Sequence, residues 1–273
     1  MKINIVFAIT LFFISSCSTL AFWSDDAEEE TAEPVKLAKI QNQYPIEVEW
    51  KRSFNGENDL GSFVPSFYSD EMIVADPDGN LVSINPSTGK INWEIDLKRN
   101  LSAGTASGFG KIIVSDTNGF VIAIDSITKE TLWEKNVGGE ILINGVISPT
   151  LIIVKNSAGE LVALDSLTGK QKWSFRSQLP ALTVRGTGEP IIENNIVYST
   201  FDNGRIGAFD LDTGYFLWDG PISFVEGTSE LENLIDSDSS PVITQQLIFA
   251  TNYQGRLTAF DLAQKRPVWN AEA

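Results

Sequence analysis

An all-β fold, a β-propeller of four-stranded blades with about five blades present, is predicted by three observations. A unit of about 40 residues recurs along the chain, hairpin dipeptides punctuate it, and a tryptophan stands near its end. Five times a glycine is followed six residues later by Asp or Asn and eight residues after that by Trp: Gly79/Asn85/Trp93, Gly119/Asp125/Trp133, Gly159/Asp165/Trp173, Gly204/Asp210/Trp218 and Gly255/Asp261/Trp269. The tryptophans lie 40, 40, 45 and 51 residues apart, so one supersecondary unit has been copied in tandem. Period-2 alternation excludes helical repeats, and a parallel β-helix would have shorter rungs.

Each element of the unit has its own local cause. A β-rich run leads to Asp78-Gly79, Asn118-Gly119 or Asn203-Gly204, with Ala158-Gly159 and Gln254-Gly255 as weaker variants. These dipeptides predict type I′ hairpin turns, whose two central residues both need positive φ. The next run carries a small residue two before the Asp or Asn, namely Ser83, Ala123, Ala163, Ala208 and Ala259, which leaves room for a large side chain such as the tryptophan. A second turn follows, fullest in Thr88-Gly89-Lys90 and Thr168-Gly169-Lys170. Two units lack that glycine (Thr128-Lys129-Glu130 and Gln264-Lys265-Arg266), which predicts another turn type there.

Label the strands of a blade A to D, with the tryptophan opening D. The chain then has five A-B-C sets and six D strands, because Tyr44-Pro45-Ile46-Glu47-Val48-Glu49-Trp50 reads as a D strand 43 residues before Trp93. Propellers commonly close when an N-terminal strand completes the last blade and removes a sheet edge. A blade awaiting that strand is expected beyond Ala273, so the sequence reads as C-terminally truncated; a closed five-bladed ring with an extra strand is the alternative.

The N-terminus reads as an export signal. Met1-Lys2 is followed by an apolar run over residues 3–14 and by Ser15-Ser16-Cys17, too short to span a bilayer. Ile14-Ser15-Ser16-Cys17 resembles a bacterial lipobox, in which the cysteine thiol is diacylated. Cys17 is the only cysteine, so no internal disulfide competes for it. Ser18 in place of Asp favours, by analogy, the outer membrane over inner-membrane retention. Asp25, Asp26, Glu28, Glu29, Glu30 and Glu33 then form an acidic, solvated tether. The expected domains are a signal peptide at 1–16, lipidated Cys17 with its tether at 17–43, and a partial propeller at 44–273.

Charge and composition exclude other functions. The net charge of -16, without a basic cluster, argues against nucleic acid. The chain has no histidine, which removes Ser-His-Asp catalysis, histidine metal sites and imidazole acid–base chemistry. No enzyme, cofactor or metal is expected.

Departures from the repeat point to function. The Trp-to-Gly segment is 26 residues from Trp93 to Gly119 and from Trp133 to Gly159, but 31 from Trp173 to Gly204 and 37 from Trp218 to Gly255. Both insertions are expected in connections from strand D of one blade to the next blade, on one face, where repeat proteins carry binding loops. The first holds Leu182, Val184 and Arg185; the second holds Glu230, Glu232, Asp236 and Asp238. Apolar side chains beside an arginine suit a protein-binding anchor. On the residues alone the alternative stands: Leu182 and Val184 as core strand positions, with Arg185 paired to Asp236 or Asp238.

The Asp-x-x-Thr-Gly-Lys-x-x-Trp unit resembles the tryptophan-docking repeat of the pyrroloquinoline-quinone dehydrogenase superfamily. Within it the chain is similar, from Cys17 to Trp269, to the BamB family, the propeller lipoproteins of the outer-membrane β-barrel assembly machinery. The most specific stretches are Leu179-Pro180-Ala181-Leu182-Thr183-Val184-Arg185-Gly186 and residues 228–241. Full-length members look eight-bladed. The resemblance implies a non-enzymatic scaffold, lipid-anchored at the periplasmic face of the outer membrane, in which Leu182, Val184, Arg185, Asp236 and Asp238 dock the periplasmic domains of the barrel-forming subunit BamA. Unfolded outer-membrane proteins are a second implied partner. Asn233 departs from the basic residue common there. Other readings are a propeller lipoprotein for a different envelope protein or a glycan, and a quinone-dependent dehydrogenase. The latter commonly carries a vicinal disulfide, which one cysteine cannot form.

Overall fold

The computed structural model describes residues 45, 47–57, 61–184, 188–223, 234–237, 239–253 and 255–272. Within them the chain forms five antiparallel sheets of four strands each, in sequence order. Blade I comprises β1 (Ser66–Tyr68), β2 (Glu71–Ala75), β3 (Asn80–Ile84) and β4 (Ile91–Asp96). Blade II comprises β5 (Ala106–Gly108), β6 (Lys111–Ser115), β7 (Phe120–Asp125) and β8 (Thr131–Asn136). Blade III comprises β9 (Val146–Ile147), β10 (Leu151–Lys155), β11 (Glu160–Asp165) and β12 (Gln171–Arg176). Blade IV comprises β13 (Ile191–Glu193), β14 (Ile196–Phe201), β15 (Arg205–Asp210) and β16 (Phe216–Pro221). Blade V comprises β17 (Val242–Thr244), β18 (Leu247–Thr251), β19 (Arg256–Asp261) and β20 (Arg266–Glu272).

The two middle strands of a blade are mostly apolar and largely buried on successive residues, as in Ile112-Ile113-Val114, because both their faces are covered. One set of side chains packs on the preceding blade and the alternate set on the following one. Ile113, Val121 and Ala123 of blade II meet Ile152, Val154 and Leu164 of blade III, whose Ile153, Leu161 and Ala163 meet Val197 and Phe209 of blade IV. Tyr198, Ile206 and Ala208 of blade IV meet Ile248 and Phe260 of blade V. The small residue stands directly across from the tryptophan of its own blade: Ser83 with Trp93, Ala123 with Trp133, Ala163 with Trp173, Ala208 with Trp218 and Ala259 with Trp269. A register shift follows that pair in every blade. The tryptophan is the third residue of its strand in four blades and the fourth in blade V, rather than the first.

Tryptophans dock on the C-to-D turn of the next blade. Trp133 Nε1 donates to Ser166 O at 3.1 Å and Trp173 Nε1 to Leu211 O at 2.8 Å, each ring lying over the turn glycine. A methyl group on Gly214, at φ +71°, would come within 2.5 Å of Trp173 Cδ2. The two units without glycine do not change turn type: Lys129 (φ +64°) and Lys265 (φ +56°) take the same left-handed backbone, and Lys129 N still donates to Asp125 O at 3.0 Å. The Lys129 ammonium lies 4.1 Å from the Trp93 ring centroid and donates to Ser126 O, the carbonyl equivalent to those the other indoles use. Trp93 donates instead to Glu71 Oε2 at 3.1 Å. A cation over the ring thus replaces the close glycine contact.

The inner hairpins also differ from expectation. In Asp78-Gly79, Asn118-Gly119 and Asn203-Gly204 only the glycine has positive φ, so the turns are not type I′. Gly79 N donates to Asp76 O and Asp76 N to Asn80 O, which makes a three-residue loop: a type I turn followed by a left-handed glycine. In blades I, II, III and V the side chain three before the glycine caps it, as where Asp116 Oδ1 accepts from Asn118 N and Phe120 N at 3.0 and 2.9 Å. Type I′ geometry appears in the A-to-B turns of blades II and IV, where Phe109-Gly110 and Asn194-Asn195 all have positive φ.

The expected sixth D strand is not formed among the described residues. Residues 47–57 carry no strand, because each of the five C strands is already paired with the D strand of its own blade. Tyr44 and Ile46 lie outside the described residues. Trp50 nevertheless docks as the others do: its Nε1 donates to Pro86 O at 2.8 Å, its ring lies over Gly89, and it covers Val82 and Ile84 of blade I.

Candidate partner-binding site

The D-to-A connections span residues 97–105 and 137–145 in the first two cases but 177–190 and 222–241 in the last two, so the added residues lie where the spacing predicts. In an antiparallel blade the D-to-A connection and the B-to-C hairpin share one end, and hydrogen bonds fasten them. Val137 N, Ser177 N and Ile222 N donate to the turn glycines Gly119, Gly159 and Gly204. The described residues of both long connections are therefore fastened at this end, with Leu179 against the blade III hairpin glycine and Ile235 against that of blade IV.

The first connection crosses the blade III hairpin with Leu179 packed on Gly159, then turns Leu182 and Val184 toward solvent. These two side chains are 41% and 45% exposed, so they are not core residues. Thr183 between them faces inward, and its Oγ1 donates to Asp202 Oδ2 at 3.0 Å. Val184 N donates to Asp236 Oδ2 at 2.8 Å, across 52 residues of sequence. Further on, Gly188 approaches Thr200 and Ser239 too closely for any side chain, and Glu189 N donates to Ser240 Oγ at 2.9 Å.

The second connection supplies the other half. Leu234 and Ile235 are buried, Ile235 lying against Gly204. Asp236 O accepts from Tyr253 N at 2.8 Å, and Ser239 O accepts from Thr200 Oγ1 at 2.8 Å. Asp236 was expected on the contact surface, but it is fully buried, with 0% exposure. Burial pushes its carboxyl pKa up; the hydrogen bond from Val184 N and the polar Thr183 hydroxyl pull it back down, and the negative charge of Asp202 raises it further. Its place is under the surface, joining the two connections. Cys17, Arg185, Glu230, Glu232, Asn233 and Asp238 lie outside the described residues.

The residues that the sequence reading missed are Thr183, Asp202 and Ser239. For Asp202 a signal existed, because the acid three residues before the turn glycine in blades I and II is displaced by one position in blade IV.

A separate cavity of about 260 Å³ opens among the innermost strands, lined by Ser66, Ser107, Asn144, Val146 and Glu189. Burial raises the Glu189 carboxyl from 4.5 to about 7. Between those values the folded state holds this proton more tightly than the unfolded one, so the stability Glu189 contributes is fully present below pH 4.5 and is lost as pH rises through 7. With solvent screening the effect is on the order of 1–2 kcal/mol. Glu189→Gln is expected to raise the thermal midpoint at pH 8 by a few degrees and to leave it unchanged at pH 4.5, measured by calorimetry against the parent chain.

A family model described as outer membrane protein assembly factor BamB matches residues 77–273. An outer membrane protein assembly factor BamB from Kangiella koreensis is 44% identical over 249 residues, which cover 90% of this chain and 64% of the relative. That of Pseudomonas aeruginosa is 44% identical over 242 residues, covering 88% and 64%. The chain thus spans just under two thirds of the length of these relatives. The crystal structure of BamB from Moraxella catarrhalis superposes with a TM-score of 0.71 at 25% identity, covering 79% of this chain and 65% of that one. A europium-containing methanol dehydrogenase superposes with a TM-score of 0.61 at 14% identity, a likeness of fold alone.

Proposed function

The chain belongs to the outer membrane protein assembly factor BamB family, and from that premise we propose that it is a non-enzymatic scaffold of the outer-membrane β-barrel assembly machinery. It binds the periplasmic domains of the barrel-forming subunit BamA through the face built by connections 177–190 and 222–241. The observation that carries this reading is the pair of exposed apolar side chains, Leu182 and Val184, on a connection fastened at two successive residues. A rigid apolar anchor loses little conformational entropy on binding, and an arginine next to it in sequence suits a protein-binding anchor.

In this account Leu182 and Val184 enter a pocket of the partner and Arg185 pairs with an acid on it. Asp236 acts from below by holding Val184, and Asp238 is a further contact to the partner. Diacylated Cys17 and the acidic tether after it keep the propeller at the periplasmic face of the outer membrane, where it orients the partner's domains; unfolded outer-membrane proteins are the machinery's substrates. The mechanism is binding alone.

Arg185→Glu is expected to abolish copurification with the barrel-forming subunit while the circular dichroism spectrum and thermal midpoint stay those of the parent. Undiminished copurification would contradict the docking role of this face.

A further inference from the structure

We infer that Thr183 and Asp202 are positioning residues for this docking surface, an inference that rests on the reading above. The starting observation is a break in the repeat. Three residues before the turn glycine, four blades carry Asp76, Asp116, Asn156 and Asn252, and each accepts a hydrogen bond from the backbone N–H four residues on. Blade IV has Phe201 in that place and an acid one residue later.

Phe201 joins Phe175 and Phe209 in the core, with ring centroids 5.7 and 6.1 Å away. Asp202 is thereby released from capping its own hairpin and reaches the neighbouring connection, where it accepts from Thr183 Oγ1 at 3.0 Å. Asp202 is only 7% exposed, so water competes poorly for this charge-assisted bond. The next residue, Val184, is held through its N–H by Asp236 of the second connection. The segment is therefore fastened from two separate places, and the side chains left pointing outward are Leu182 and Val184. Without the hydroxyl the segment would have to order itself when the partner binds.

Thr183→Val keeps the volume and branching and removes only the hydroxyl; Thr183→Ser keeps the hydroxyl. Two quantities are measured on the full chain: the exchange rate of the Val184 amide in the protein alone, and the affinity for purified periplasmic domains of the barrel-forming subunit. Thr183→Val is expected to speed exchange and weaken binding roughly tenfold, and Thr183→Ser to stay near the parent in both. Unchanged exchange in Thr183→Val would overturn the clip. Faster exchange with unchanged binding, where Leu182→Glu does weaken binding, would overturn the positioning role and leave the docking reading intact. Unchanged binding in Leu182→Glu as well would remove the docking reading and this inference with it.

Discussion

Replacing Leu182 and Val184 together by glutamate is expected to weaken binding to the barrel-forming subunit by about a hundredfold or more, with the thermal midpoint within about 2 °C of the parent. The two halves of that expectation come from one structural fact. Both side chains are close to half exposed, so their polar replacements remove no core contact and leave the free protein folded. At an interface the same side chains are desolvated, and two apolar anchors of this size each contribute about 2 kcal/mol when buried in a pocket. Titration calorimetry with the partner's periplasmic domains reads the affinity, and scanning calorimetry of the variant alone reads the fold.

Phe209→Ala is expected to have the opposite profile, a loss of about 3–5 kcal/mol of stability and a fall in thermal midpoint of about 10 °C. Phe209 is fully buried between blades III and IV. Its ring lies 4.6 Å from Phe175, 5.9 Å from Phe216 and 6.1 Å from Phe201, centroid to centroid. Gly207 beside it leaves the space the ring fills, since an added methyl there would stand 3.0 Å from Phe209 Cε2. Removing the ring opens a cavity among rigid neighbours that cannot collapse onto it. Phe216→Ala is the internal control: its side chain is 53% exposed and its loss is expected to cost under about 1.5 kcal/mol. Comparable losses in the two variants would place the energetic centre of the blade III–IV contact elsewhere.

The blades were legible in the sequence because their determinants are local. Gly, Asp or Asn, and Trp at fixed spacing specify two turns and a docking side chain, and each repeats the same physics. The positions of the long connections were legible for the same reason, as additions between fixed marks.

Turn type was misread because Asn-Gly satisfies both a type I′ turn and a type I turn with a left-handed glycine; an acid or amide three residues before the glycine caps the second form in four blades, and blade IV adopts it with Phe201 in that place. At Lys129 and Lys265 the left-handed backbone was unreadable, since what stabilises it at Lys129 is the Trp93 ring of another blade. Asp236 looked like a surface acid because nothing adjacent in sequence buries it. Its partners Val184 and Thr183 are brought to it only by the stacking of blades. Trp50 was legible as a sixth tryptophan of the repeat, while the strand around it depends on a pairing edge that its own sequence cannot supply.

The most direct test of the central claim is site-specific photocrosslinking on the two ends of the blades. A photoreactive phenylalanine analogue at position 182, on the face of the long connections, is compared with one at Leu167, 76% exposed on the opposite, C-to-D turn of blade III. A crosslink is expected from 182 to a periplasmic domain of the barrel-forming subunit and none from 167. A crosslink from 167 with none from 182 would contradict it.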